Sequence, residues 1–376
     1  MKNTIYKYFF YEFLRYFSIT LFALAVIVWT IQSVNYLDLV TEDGHAFTTY
    51  FLYSSLTLSK ILTKLMPLCF LISIILTILR LEKDNELIIM WSSGLNKIYI
   101  VNLIFRISLL IMFLQLIFTS ILNPALLKLS RSVLKNSQLE FVPSLLKEKQ
   151  FNDTVKGLTI FVDKKEEDQM YKNIFIRDDA NILSGIGATS STIFAQSGYV
   201  DSSANNLILY DGNIQRLKED NTINVFKFKK TVFNLSGIST KSISAPKMQE
   251  TSTLKILNCI INNNTSTNMH NCSQTKKSFM DTKIEINKRF GMPVYIPLIS
   301  LICSFLLSSR SDRKIYNYRK YIYFLIGFLV LALSEIIVRY SGVSWTHSVT
   351  YYFVPLLMVP IIYLTLLRKF KYENLI

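Results

Sequence analysis

Six long apolar blocks, three towards each end of the chain, constrain this sequence more than any other feature. Tyr16 to Leu37 carries no charge, and Ala46 to Leu79 is interrupted only by Lys60 and Lys64. Ile107 to Leu127 is uncharged and is extended behind Arg106 by Ile98 to Phe105. After a long polar stretch, Gly291 to Ser309 is uncharged, Tyr321 to Val338 is broken only by Glu335, and Ser348 to Leu367 is uncharged. A helix needs about 20 mostly apolar residues to cross a bilayer. The expectation is therefore three transmembrane helices within residues 1–127, three within 291–376, and an insertion at 128–290. The first block is too long for a cleaved signal peptide, and no small-residue cleavage site follows it. With 51% hydrophobic and 18% charged residues, against about 25% charged in soluble domains, a single-core soluble enzyme and a disordered chain are both excluded.

The formal charge of +15 would suggest nucleic acid in a soluble protein. In a membrane protein, basic residues in short loops mark the cytoplasmic side instead, and no nucleic-acid partner is expected. Lys2, Lys7 and Arg15 precede the first span; Arg80, Lys83 and Lys97 follow the second. Arg310, Arg313, Lys314, Arg319 and Lys320 follow the fourth, and Arg368, Lys369 and Lys371 follow the sixth. The other side has Asp38, Glu42 and Asp43 after the first span and only Arg339 after the fifth. Fourteen cations against one place both termini in the cytoplasm and residues 128–290 outside.

The insertion reads as β structure. Leu158–Asp163, Asn173–Arg177, Ser191–Ala195, Asn206–Tyr210 and Asn224–Lys229 have strand length and apolar alternation. Asp178-Asp179, Ser184-Gly185, Ser197-Gly198 and Asp211-Gly212-Asn213 read as turns between them. Such spacing suggests a sandwich or jelly roll, with Asp211-Gly212 as a hairpin turn. Residues 262–275 are polar, low in complexity and read as a linker. Cys259 and Cys272 flank it; in an oxidising compartment they could pair, and otherwise they are two free thiols.

No phosphate-cradling G-x-x-x-x-G-K-[ST] occurs, no nucleophile–histidine arrangement suggests catalysis, and no His or acid spacing suggests a metal. The chain reads as a non-enzyme without its own cofactor, so work must draw on an ion gradient or a separate ATPase. Three plus three spans could be the inverted repeat of a secondary transporter of an amphiphile. Against that, Glu335 is the only acid within a span and is not central. Copurification of an ATPase discriminates the two.

Between the second and third spans, Asn85 to Trp91 is helix-compatible, with Leu87, Met90 and Trp91 on one face. Glu86 sits where the helix dipole favours an acid, and Gly94 is placed to end the helix. Pattern alone fits both an interfacial helix on lipid and a coupling helix inserted into a partner subunit. Lys60 and Lys64 share a face in the outer part of the second span, and Glu335 and Arg339 are likewise four apart near the outer end of the fifth. Either the lysines snorkel and Glu335 pairs with Arg339, or these charges line a cavity for an anionic amphiphile. Arg106, in the inner half of the third span, reads as snorkelling.

These features together resemble the LptF/LptG (YjgP/YjgQ) permease family. The carriers are Leu81, Asp84-Asn85, Glu86-Leu87, Met90 and Gly94 in the loop, Pro67 in the second span, Leu122-Asn123-Pro124 closing the third, Gly157 to Val162 opening the β region, and Arg289 with Pro293 entering the fourth span. Trp91-Ser92-Ser93 departs from the usual basic and alanine residues there. The loop at Asp43-Gly44 and the second span lean to LptF over LptG. The resemblance covers essentially the whole chain.

It implies a polytopic α-helical membrane protein with six transmembrane helices and a periplasmic β-jellyroll domain between helices 3 and 4. It implies a permease subunit of an ABC-type exporter that extracts lipopolysaccharide from the outer leaflet of the bacterial inner membrane. The implied partners are a paralogous permease, an LptB ATPase dimer that uses the ATP, and LptC and LptA, which receive the lipid. Glu86, Leu87, Met90, Trp91 and Gly94 would form the coupling helix, and Lys60, Lys64, Glu335 and Arg339 the substrate cavity. Leu158, Ile160, Phe175, Phe194 and Leu209 are candidates for an acyl groove in the β domain, or else its plain core.

Overall fold

In hydrocarbon the backbone has no water to bond, so apolar runs of this length close their hydrogen bonds as helices. The computed structural model describes residues 2–41, 46–136, 146, 148–153, 157–166, 170–179, 190–201, 206–217, 222–234, 247–262, 276–308 and 313–373. The helices before the insertion are α1 (Lys2–Asn35), α2 (Asp38–Thr41), α3 (Phe47–Lys83), α4 (Glu86–Ser92), α5 (Lys97–Ile117) and α6 (Asn123–Asn136), with a π-helical turn at Phe118–Leu122. After it come a 3-10 turn (Met248–Glu250), α7 (Thr253–Asn262), α8 (Lys276–Ser304), α9 (Arg313–Tyr340) and α10 (Trp345–Glu373). Six of these runs are long and apolar enough to cross a membrane. They cover the six blocks expected from the sequence to within a residue or two at the block ends. The Asp43-Gly44 loop, the Ser184-Gly185 turn and the linker from 263 to 275 lie outside the described residues.

The chain divides into two compact units: residues 1–30, 57–128 and 247–376, and residues 31–56 and 129–246. In the first, the apolar stretches of α8 and α3 are 78% and 67% buried, while those of α1, α9 and α10 are 11–17% buried. α3 and α8 are thus the interior of the bundle, and α1, α9 and α10 present apolar faces outward. Phe13, Phe70, Ile78, Ile100 and Ile299 belong to the main core.

Prolines decide how these helices are joined. A proline inside a helix leaves the carbonyl four residues earlier without its N–H donor. Pro67 frees the carbonyl of Thr63, and the Gln115 amide of α5 donates to it at 3.3 Å. Pro124 frees that of Ser120, which accepts from Thr253 Oγ1 of α7 at 2.5 Å. Pro293 frees that of Arg289, which accepts from Thr119 Oγ1 at 2.9 Å. Pro355 frees that of Tyr351, which accepts from the Tyr295 hydroxyl at 3.0 Å. At these four prolines the broken intrahelical bond is replaced by a bond to another element, which suits a span in lipid.

Arg289 extends this joint. It is 3% exposed and donates to Glu285 at 3.0 Å, to Thr253 Oγ1 at 2.9 Å and to the carbonyls of Met248 and Gln249 at 3.3 Å. The segment that returns from the insertion is thus latched onto α8 by one side chain.

The second unit holds the β sheet. Six strands pair antiparallel in chain order: β1 (Phe151–Asn152), β2 (Leu158–Lys165), β3 (Met170–Asp178), β4 (Ser190–Asp201), β5 (Asn206–Leu217) and β6 (Ile223–Asn234). Two expected turns are absent. Ser197-Gly198 lies inside β4 and Asp211-Gly212 inside β5, paired as Ser197↔Tyr210, Gly198↔Leu209 and Ala195↔Gly212. These glycines serve close packing rather than a reversal. A Cβ on Gly198 would lie 2.6 Å from Leu209, and one on Gly212 would lie 2.1 Å from the Phe194 carbonyl oxygen.

The apolar face changes parity along the strands. Ile174 and Ile176 of β3 are buried, but so is Tyr171; Ile193 and Ala195 of β4 are buried, but so is Val200. The change falls at one level, where Asn173 and Asp211 adopt left-handed backbone (φ 51° and 47°) and re-aim the strand as a bulge does. Both halves feed one core of Leu158, Val162, Tyr171, Ile193, Leu207 and Phe233 among others. A single meander therefore surrounds its core from two sides.

Candidate functional site

Asn85, with φ 58°, ends α3 in the left-handed conformation that a short polar side chain tolerates. α4 follows at once. Gly94 (φ 81°) closes it: the Leu95 N–H reaches the Met90 carbonyl and the Gly94 N–H the Trp91 carbonyl, which is the Schellman pattern. Leu87 and Met90 are 4% and 8% exposed and lie in the main core of the bundle. Trp91 packs against that core, with Lys97 Nζ 5.8 Å from its ring centre. Glu86 accepts from the Tyr8 hydroxyl of α1 at 3.0 Å. Arg80, one turn before the α3 end, pairs with Glu12 of α1 and with Asp84.

The apolar stripe Leu87–Met90–Trp91 is thus turned into this chain's own bundle rather than outward. Burying it there removes the same apolar area from water that a partner would. The face that α4 offers outward is Ile88, Ile89 and Ser92, with Ile89 64% exposed. Sequence periodicity identifies one stripe as the apolar face. The signal for the second face was the Ile88-Ile89 pair, apolar residues outside that stripe on a loop helix.

A second constellation gathers charges at the end of the bundle where the chain leaves for residue 129 and returns at 247. Lys60 and Lys64 are exposed on α3. Lys60 lies within electrostatic reach of Lys247, Glu285, Lys288 and Lys64. Glu335 of α9 accepts from Lys288 Nζ of α8 at 3.1 Å, an interhelical bond in place of the Glu335–Arg339 pair that was one of the two alternatives; Arg339 is exposed. Lys288 and Lys247 lie outside the apolar runs, so a search for charges within spans passes over them. Glu285 is already engaged by Arg289, and the cluster carries more cations than carboxylates.

The five expected groove residues do not form one surface. Leu158, Ile160 and Leu209 are buried in the β core. Phe175 and Phe194 lie on the opposite face, in a row with Phe151 and Phe161 whose adjacent ring centres are 4.7–6.3 Å apart. Cys259 is buried and disulfide-bonded, while Cys69 and Cys303 are free; Cys272 lies outside the described residues. Among the described residues no cluster of His, Cys, Asp and Glu could hold a metal ion.

Residues 7–369 match the family described as lipopolysaccharide export system permease LptF/LptG. The chain is also 30% identical over 205 residues to an uncharacterized protein, RP871, of Rickettsia prowazekii (strain Madrid E); the matched part is 54% of each chain. The chain spans about half the length of this curated relative.

Proposed function

The chain belongs to the LptF/LptG lipopolysaccharide export permease family, and from that membership we propose that it is one membrane half of an ABC-type lipopolysaccharide exporter. The family match over nearly the whole chain carries the proposal. The exposed pair Ile88 and Ile89 on α4 supports that reading, because it offers an apolar face to a partner subunit. Both termini and α4 lie in the cytoplasm and the sheet in the periplasm, on the strength of the cation asymmetry between loops. A paralogous permease completes the pair, an LptB dimer hydrolyses the ATP, and LptC and LptA receive the lipid.

Residues of α4 divide into two roles. Ile88 and Ile89 meet the ATPase, while Leu87, Met90, Trp91 and the Glu86–Tyr8 bond fasten the helix to α1 and α3. A push on Ile89 is then transmitted to the bundle as a rigid-body displacement, because packed cores do not deform continuously. At the other end, Lys60, Lys64 and Lys288 face the phosphates of lipid A from an apolar setting in which an anion is the favourable neighbour. Ile89→Asp should abolish copurification of the ATPase while the chain still inserts and folds, whereas Leu87→Ala should lower thermal stability. Retention of the ATPase by Ile89→Asp would refute the docking face. Unchanged lipopolysaccharide at the cell surface on depletion of the chain would refute the function.

A further inference from the structure

Between α5 and α10 lies a cavity of about 310 Å³ lined by Asn102, Phe105, Arg106, Val359, Pro360 and Tyr363. Its chemistry is graded. Asn102 Oδ1 accepts from the Tyr363 hydroxyl at 2.9 Å, one helical turn nearer the start of α5 than Arg106. Phe105, Val359 and Pro360 supply apolar wall deeper in the span. Arg106 is exposed, sits in the third apolar block, and has no hydrogen bond or ion pair among the described residues. A guanidinium left in hydrocarbon without an anion is costly. On α5 the exposed apolar stripe Leu110, Phe113 and Ile117 continues from Arg106 away from the loop end, and on α10 Leu356 and Phe353 do the same from Pro360. Lys97, Arg368 and Lys369 stand at the loop end of the same two helices.

We propose that this cleft holds one anionic phospholipid of the leaflet at the loop end, its phosphate on Arg106 and one acyl chain along Phe105, Val359 and Pro360. Charge complementarity selects the occupant: a membrane-facing guanidinium, a polar rim on the headgroup side and an apolar wall on the tail side match an anionic amphiphile, and the basic loop end enriches such lipids locally. The site is separate from the lysine cluster, which lies at the opposite end of the bundle. The leaflet follows from chain direction alone: Arg106 is nine residues beyond Lys97, about 13 Å along a helix, within snorkelling reach of the loop-side interface.

The test is native mass spectrometry of the full chain in detergent, titrated with phosphatidylglycerol, with phosphatidylcholine, or with lipopolysaccharide. One phosphatidylglycerol should be retained by the wild type at least tenfold more tightly than by Arg106→Gln, with Arg106→Lys between them. Lys255→Gln, at an exposed lysine outside both sites, should behave as wild type, and phosphatidylcholine should be indifferent to every substitution. Equal retention of phosphatidylglycerol by Arg106→Gln would overturn the proposal. So would equal retention of phosphatidylcholine, which would reveal an apolar cleft only. Arg106-dependent displacement of phosphatidylglycerol by lipopolysaccharide would overturn it too, making the cleft part of the export route.

Discussion

Replacing Arg289 by Met should free the segment that returns from the β insertion. The guanidinium is 3% exposed and holds four acceptors, one of them the Glu285 carboxylate. Methionine fills similar volume but leaves that carboxylate, itself only 14% exposed, without its cation. Removing one partner of a buried pair costs about 3–5 kcal/mol. The three neutral acceptors add less, because Thr253 still donates to Ser120 and the two carbonyl contacts are long. Part of the loss is recovered by local relaxation, so about 3 kcal/mol is the expected change in the free energy of opening the 247–262 segment. At 1.4 kcal/mol per tenfold, α7 amides should exchange about a hundredfold faster in Arg289→Met, while amides of the β sheet keep their protection. Glu285→Gln in the same background should restore about half the effect, since it removes the uncompensated charge. Hydrogen exchange of the detergent-solubilised full chain reads all of this. Protection of α7 unchanged within threefold would refute the latch.

Three further outcomes follow from the same geometry. Gln115→Leu should cost about 1 kcal/mol by stranding the Thr63 carbonyl, and Pro67→Ala added to it should remove that penalty, because alanine restores the helical N–H; additive effects in thermal unfolding would contradict the assignment. Gly94→Ala meets open space around its Cβ, so only backbone strain of about 1 kcal/mol is expected, with Gly94→Asn milder; a larger loss of melting temperature would show that Gly94 also packs. Gly212→Val drives its side chain into the Phe194 carbonyl and should destabilise the sheet by about 2–3 kcal/mol, read as loss of β signal in circular dichroism well before the helical signal; a coincident, unshifted melt would contradict it.

How far the site could be read from residues varies with the length scale of the cause. The six blocks and the closing role of Gly94 depend on composition and on a single backbone conformation, both local. The strands at Leu158, Asn173 and Ser191 were equally legible from alternation. The mid-strand positions of Gly198 and Gly212 were not. Glycine next to serine or aspartate marks a reversal when local preference decides, and here the nearness of Leu209 and of the Phe194 carbonyl decides instead. The partner of Glu335 was hidden for a related reason: spacing shows the neighbour one turn away, Arg339, but not Lys288 on the next helix.

By itself the amino-acid sequence determines where this chain enters and leaves hydrocarbon and which segment is built of strands, because bilayer thickness and side-chain alternation act on contiguous residues. Only the tertiary structure decides which face of α4 remains available to a partner, which side chains bond to the carbonyls that the prolines release, and where the apolar face of the sheet changes sides. Those outcomes are set by surfaces distant in the chain competing for the same contact, and proximity of that kind exists only once the helices and strands have packed.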